Sequence, residues 1–170
     1  SVGPALDPAT QIGPVVSETQ LKSNLSYVEI ARNEGCEVVS GQHLAERNTG
    51  YFQRPGVFLN ATNQMRTSRE EIFGPVASII KVGDFEEAVA TANDTVFGLS
   101  SAICTSSLYY AREFKRQSEA GMAMVNLPTA GVDYHVPFGG RKNSSYGSRE
   151  QGRAAIDFYT TTKTTYSFAG

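Results

Sequence analysis

A chain of 170 residues with 40% hydrophobic and 19% charged side chains has the size and make-up of one globular domain able to bury roughly two-thirds of its unfolded surface. Fifteen basic against seventeen acidic residues give a net charge of −2, and no block of like charge occurs. That excludes the electrostatic footprint of a nucleic-acid or membrane partner. The longest apolar runs fall far short of a membrane span and no N-terminal stretch reads as a signal peptide, so a cytoplasmic location is expected.

Residues 1–16 are irregular, with Pro4, Pro8 and Pro14 marking turns. Ser17 and Gln20 have the spacing of a capping box. They open a helix whose Leu21, Leu25 and Val28 share one face and which Gly35 closes. Short strands are expected at 36–40 and 56–59, with a polar loop between them and an irregular stretch over 61–75. Residues 76–82 read as a strong strand. Asp84 and Glu87 open a second helix carrying Phe85, Ala88, Val89 and Ala92 on one face. A strand over 99–105 follows, then a third helix capped by Ser106 or Ser107 with Leu108, Ala111 and Phe114, then a strand over 122–126. Residues 127–148 form a long loop, of the kind that is usually functional or disordered. A short helix over 149–157 leads to a β-prone tail, 158–168, rich in Thr and Tyr. Strand–helix alternation of this kind predicts an α/β fold, a mainly parallel sheet flanked by helices.

Cys36 and Cys104 have no metal-site spacing and are expected to be reduced, buried structural residues. With His43 and His135 as the two histidines, a zinc site is not expected. The glycine-rich run 139–152 lacks both the P-loop ending and the dinucleotide fingerprint, so its glycines are read as backbone packing positions.

The most informative segments are Glu70-Glu71-Ile72-Phe73-Gly74-Pro75-Val76 and, far downstream, Pro137-Phe138-Gly139-Gly140-Arg141-Lys142. Two carboxylates and an aromatic ring precede a Gly-Pro turn in the first; a Pro-Phe corner precedes a Gly-Gly pair in the second. In this order, together with 3–14, 50–55, 95–100 and 149–152, they resemble the C-terminal part of the NAD(P)-dependent aldehyde dehydrogenase superfamily. The resemblance runs through nearly the whole chain. It implies a partial catalytic domain over 1–157 and a tail strand over 158–170 that joins an intersubunit sheet, hence a homodimer or homotetramer. It also implies oxidation of an aldehyde substrate to a carboxylate with NAD or NADP as cofactor. A cysteine would attack the aldehyde to form a thiohemiacetal. In that family the nucleophilic cysteine and the general-base glutamate lie upstream of the region seen here, so this chain alone is expected to turn over no aldehyde.

By the same resemblance, Glu71 accepts hydrogen bonds from the nicotinamide ribose hydroxyls. A carboxylate can take both protons of a vicinal diol; the alternative is a solvated carboxylate before a turn, the reading kept for Glu70. Phe73 matches a ring near the nicotinamide end, with an ordinary core phenylalanine as the alternative. Gln20 matches a position on the adenosine side of the cofactor, although capping already explains it. Asn126 and Phe138 fall along the substrate tunnel. Glu150 matches a proton-relay glutamate, with Ser148 interrupting the family's Gly-Arg-Glu pattern, and a place in the first turn of a helix would equally favour an acid there. Residues 126–134 and 138–147 look like the branch acting on 2,5-dioxopentanoate, the semialdehyde of 2-oxoglutarate. An anionic substrate needs a cation, which Arg141 or Lys142 could supply. A different class of reading remains open: a non-catalytic structural or oligomerisation module with the tail as its interaction element.

Overall fold

The structure, a computed structural model, describes residues 1–44, 50–131 and 133–170. The chain divides into two compact units, Ser1–Val82 and Gly83–Gly170.

In the first unit, α1 (Glu18–Asn33) starts where the Ser17 hydroxyl accepts from the Gln20 backbone N–H. It ends in a Schellman motif: Gly35 adopts φ +93°, its N–H reaches Arg32 O, and the Cys36 N–H reaches Ala31 O. Only half of the expected capping box forms, because the Gln20 side chain turns away to other partners. The stripe that α1 buries is Leu21, Asn24, Val28 and Ala31, with polar Asn24 in the place the apolar pattern suggested for Leu25.

Strand β1 (Glu37–Ser40) pairs antiparallel with β2 (Gly56–Ala61), and β2 pairs parallel with β3 (Val76–Ile80). The connection from β2 to β3, expected to be irregular throughout, contains one helical turn, α2 (Arg66–Arg69). Val28, Ala31, Cys36, Phe58 and Ala61 form the core, with Met65, Ile72, Val76 and Ile80 packed against it. Burial pushes the Cys36 thiol up, with Glu34 adding to the shift, and its sulfur lies 3.4 Å from Met65 Sδ. That is the inert structural thiol expected of it.

In the second unit, α3 (Phe85–Asn93) begins at Asp84, whose carboxylate accepts from the Glu87 N–H. Strand β4 (Ser100–Ile103) runs through α4 (Leu108–Gln117) to a parallel β5 (Met122–Val125), a βαβ unit. Ser107 caps α4, and its Phe114 is buried while Leu108 is 89% exposed. Cys104 falls just past β4 and is exposed, so its expected burial was wrong. Helix α5 (Ala154–Tyr159) starts later than expected, because Gln151 (φ +65°) and Gly152 (φ +54°) are left-handed and break any helix through 149–153. Residues 160–170 form no helix or strand in the single chain, and all are exposed.

Parallel ladders therefore predominate as the α/β reading requires, but the strands are shared between a three-stranded and a two-stranded sheet. The chain is also less buried than its length suggests. It exposes 11795 Å², so it buries about 56% of its unfolded surface rather than two-thirds. Two compact domains of half this mass, touching nowhere, would together expose only about 9,900 Å². Val89 and Phe114 are the two fully buried hydrophobic side chains described in the second unit, and a two-stranded sheet is marginal by itself. Leu6, Leu108, Tyr146, Tyr166 and Phe168 are all at least 89% exposed.

Candidate functional site

The Gly-Pro turn of the first unit places two adjacent carboxylates in opposite situations. Glu70 is held fast: Arg66 Nε and Nη2 donate to it at 2.8 and 2.9 Å, and the Tyr27 hydroxyl donates at 2.6 Å. Arg66, then Tyr27, hold its carboxyl down at about 2, while the bond to Glu70 pushes the Tyr27 phenol up. Glu71, one residue on, is exposed and makes no hydrogen bond or ion pair among the described residues. Its two oxygens are free for a ligand.

This contrast has a pH signature. Because the folded value of Glu70 lies below its ordinary 4.5, its contribution to stability is fully present above that value and is lost as pH falls through about 2. Acid unfolding of Glu70→Gln should therefore be flatter than wild type between those limits, which circular dichroism over an acid titration checks.

Phe73 takes φ +57° with its ring 78% exposed. A left-handed aromatic residue costs on the order of 1–3 kcal/mol and persists only where its surroundings impose it. Those surroundings form a chain of three amides. Gln53 Nε2 donates to Gly41 O (2.9 Å), Asn24 Nδ2 to Gln53 Oε1 (3.0 Å), Gln20 Nε2 to Asn24 Oδ1 (2.8 Å), and the same Gln20 nitrogen to Ile72 O (3.0 Å). A reversed Asn24 amide would reach Gln20 O and Ile72 O at 3.2 Å but would set its own oxygen against Gln53 Oε1. Gly41 O decides the direction: it only accepts, so Gln53 turns its NH2 group to it, presents Oε1 to the Asn24 NH2 group, and leaves Asn24 Oδ1 to accept from Gln20. Asn24 is wholly buried and Gln53 is 1% exposed. Neither was singled out by the sequence reading, although an asparagine on the apolar stripe of a helix was a usable signal.

Gly74 seals the arrangement. A Cβ there would lie 2.5 Å from Asn24 Cγ and Nδ2, so no other residue fits against the buried amide. Ile12, Gly13, Pro14, Val15, Val16, Gln20, Phe73, Gly74 and Pro75 line a cleft of about 500 Å³. The structure thus brings Gln20 and Phe73 together, but the Gln20 NH2 group is already engaged.

In the second unit, Phe138 and Glu150 exchange both backbone hydrogen bonds, at 2.7 and 2.9 Å, which fixes the half-buried Phe138. Glu150 is four residues ahead of α5, so a place in its first turn does not account for it. The Asn126 amide is engaged on both sides by Thr105, accepting from its N–H (2.8 Å) and donating to its carbonyl (2.9 Å), with φ +55°. A cavity of about 490 Å³ opens on the loop that follows, walled by Met122, Met124, Leu127, Pro128, Val136 and Pro137 rather than by Phe138. The two candidate cations separate. Lys142 Nζ pairs with Glu119 at 2.6 Å and donates to Asn93 O and Thr95 O at the end of α3, a cation at a helix C-terminus. Arg141 is exposed, and among the described residues its guanidinium has no partner.

Three glycines of 139–152 pack against neighbouring atoms: a Cβ on Gly152 would meet His135 O at 2.5 Å, one on Gly139 Arg149 Nη1 at 2.8 Å and one on Gly140 Ser144 Cβ at 2.8 Å, while one on Gly147 would meet nothing within 4 Å. His135 is exposed with its ring edge-on to Tyr134, and no metal-binding group of three or more His, Cys, Asp or Glu occurs among the described residues. No described helix is long and apolar enough to cross a membrane.

The pattern of the aldehyde dehydrogenase family matches residues 1–165. This chain belongs to that family. It is 46% identical to an α-ketoglutarate semialdehyde dehydrogenase of Haloferax volcanii over 97% of its own length and 35% of that protein's. It is 39% identical to the 2,5-dioxopentanoate dehydrogenase of Saccharolobus solfataricus, over 97% and 34%. Its fold matches a crystal structure of an indole-3-acetaldehyde dehydrogenase in complex with NAD+, with a TM-score of 0.90, 37% identity, and coverage of 97% of this chain and 33% of that one. The chain thus spans about a third of the length of these aldehyde dehydrogenases.

Proposed function

We propose that this chain is the cofactor-holding and substrate-facing portion of an NAD-dependent aldehyde dehydrogenase that oxidises the semialdehyde of 2-oxoglutarate to the diacid. The observation that carries the reading is the free Glu71 carboxylate beside a left-handed, exposed Phe73 at the rim of an open cleft. When bound, NAD+ supplies the hydride acceptor for aldehyde oxidation. Glu71 would hold the nicotinamide ribose through its hydroxyls, and Phe73 would limit where the ring above it can lie, which is orientation, the protein's share of hydride chemistry. The residues fit that group: the carboxylate is unpartnered, and the ring stands out of the fold.

For the substrate, the Haloferax and Saccharolobus relatives support a semialdehyde that carries a carboxylate. Arg141 is the uncommitted cation of its loop, and a guanidinium pairs a carboxylate in two-point geometry. In the full-length dehydrogenase, Arg141→Ala should raise KM for 2,5-dioxopentanoate about tenfold or more, the worth of a charge-assisted hydrogen bond. KM for an uncharged aldehyde such as propanal should stay as it is. An equal effect on both substrates would remove Arg141 from recognition.

The reading extends to assembly. Residues 160–170, exposed and without a strand partner in the single chain, would pair with a second copy to give a homodimer or homotetramer, since β-prone Thr and Tyr segments pair readily at a sheet edge. Deleting 160–170 from the full-length enzyme should lower its mass in solution, as read by light scattering. An unchanged mass would take the tail out of the interface.

A further inference from the structure

We propose that Asn24 and Gln53 are positioning residues for the cofactor: the buried amide chain running from Gly41 O through Gln53, Asn24 and Gln20 to Ile72 O sets the backbone on which Glu71 and Phe73 stand. The proposal rests on the reading of Glu71 as the ribose carboxylate and adds to it the residues that hold that carboxylate in place.

Three observations lead there. The side-chain nitrogen and oxygen of the buried Asn24 and the nitrogen and oxygen of Gln53 each have a partner in a row that acceptor-only Gly41 O orients, so the chain transmits position rather than merely filling space. It ends on Ile72 O, the carbonyl between the residue whose carboxylate is free and the residue held left-handed. Gly74 closes the other side of the same turn against Asn24, with no room for a Cβ. A left-handed Phe73 needs such over-determination, and α1 supplies it through a polar residue placed where its apolar stripe would otherwise hold a leucine or valine. An apolar residue at position 24 would fill the core equally well but would leave Gln53 Oε1 without its donor and take from Gln20 Nε2 the acceptor that holds it against Ile72 O. The amides are therefore better explained by the geometry of the turn than by core stability.

Asn24→Asp is the informative variant. Its ionised carboxylate still accepts from Gln20 but opposes Gln53 Oε1, breaking the relay; once protonated, its hydroxyl donates to Gln53 Oε1 and restores it. Burial disfavours the charged form, which brings that protonation into an accessible range. In the full-length dehydrogenase, NAD+ affinity measured by titration of protein fluorescence, without turnover, should be about tenfold weaker than wild type at pH 9, the scale of one buried hydrogen bond lost. The ratio to wild type should shrink as pH is lowered to about 5.5. Gln53→Glu, which loses the donor to Gly41 O, should weaken NAD+ similarly at pH 9. In both variants KM for the aldehyde should stay near wild type.

Glu71→Gln and the double variant Asn24→Asp/Glu71→Gln separate the two layers of the argument. If Glu71→Gln weakens NAD+ and Asn24→Asp adds little on top of it, the relay acts through Glu71. Unchanged NAD+ affinity in Glu71→Gln would remove the ribose assignment. A weakened Glu71→Gln beside an unaffected Asn24→Asp and Gln53→Glu would overturn the positioning role alone. So would a defect in Asn24→Asp that does not vary with pH, or the failure of both relay variants to fold, since the amides would then serve stability.

Discussion

Gly74→Ala should destabilise this chain by about 2–5 kcal/mol, read as a fall in its urea unfolding midpoint. The size follows from what the added methyl meets. At 2.5 Å from Asn24 Cγ and Nδ2 it overlaps a wholly buried side chain, and overpacking of that kind typically costs about 1–3 kcal/mol. The neighbour cannot yield cheaply, because moving Asn24 breaks its bonds to Gln20 and Gln53 and leaves buried amide groups unpaired, each worth about 1–3 kcal/mol more. In the full-length enzyme the same substitution should weaken NAD+, since the turn that carries Phe73 and Glu71 must shift to make room. Gly83→Ala is the matched control. Its Cβ would meet the far end of an exposed side chain, Glu87 Oε2 at 3.2 Å, and its effect should be small.

Glu71→Gln in the full-length enzyme should weaken cofactor binding by about 1.5–3 kcal/mol, or roughly 10–150-fold in affinity, the range for a hydrogen bond to a charged acceptor. The change keeps size and shape but removes the charge and one of the two acceptor oxygens, so a vicinal diol keeps only one good acceptor. Folding should be untouched, because among the described residues no protein group depends on this carboxylate. The aldehyde KM should hold while the NAD+ KM rises, and equal NAD+ parameters in the two proteins would place the ribose elsewhere. Glu70→Gln supplies the contrast. That carboxylate is already committed to Arg66 and Tyr27, so its loss should show in acid stability and leave the cofactor alone.

Much of this was legible in the linear sequence. Ser17, Asp84 and Ser107 cap the helices they were expected to open, or were among the residues expected to, because a cap is a contact between residues three apart and needs nothing else folded. The strands at 56–59 and 76–82 and the parallel βαβ unit followed from apolar patterning between turns. The family followed from the ordered motifs around Glu71 and Phe138. Where expectations failed, a distant partner had intervened. Gln20 does not complete its capping box, since the fold brings it Ile72 O from 52 residues away. The helix expected over 149–157 begins at Ala154, with Glu150 paired instead to Phe138 twelve positions back.

By itself the sequence determined most of the helices and strands, where α1, α3 and α4 begin, and which carboxylate-aromatic-Gly-Pro turn to look at. All of these depend on neighbours within a few positions. Only the tertiary structure decided that Glu70 is clamped while Glu71 is free, that Lys142 is tied to Glu119 while Arg141 is not, and that Asn24 and Gln53 stand behind the turn. The physical reason is that a charge or an amide is defined by its partner. Arg66 is within a helical turn of Glu70, but Tyr27 for Glu70, Glu119 for Lys142 and Gln53 for Asn24 come from residues tens of positions apart, which only the packed fold brings within hydrogen-bonding distance.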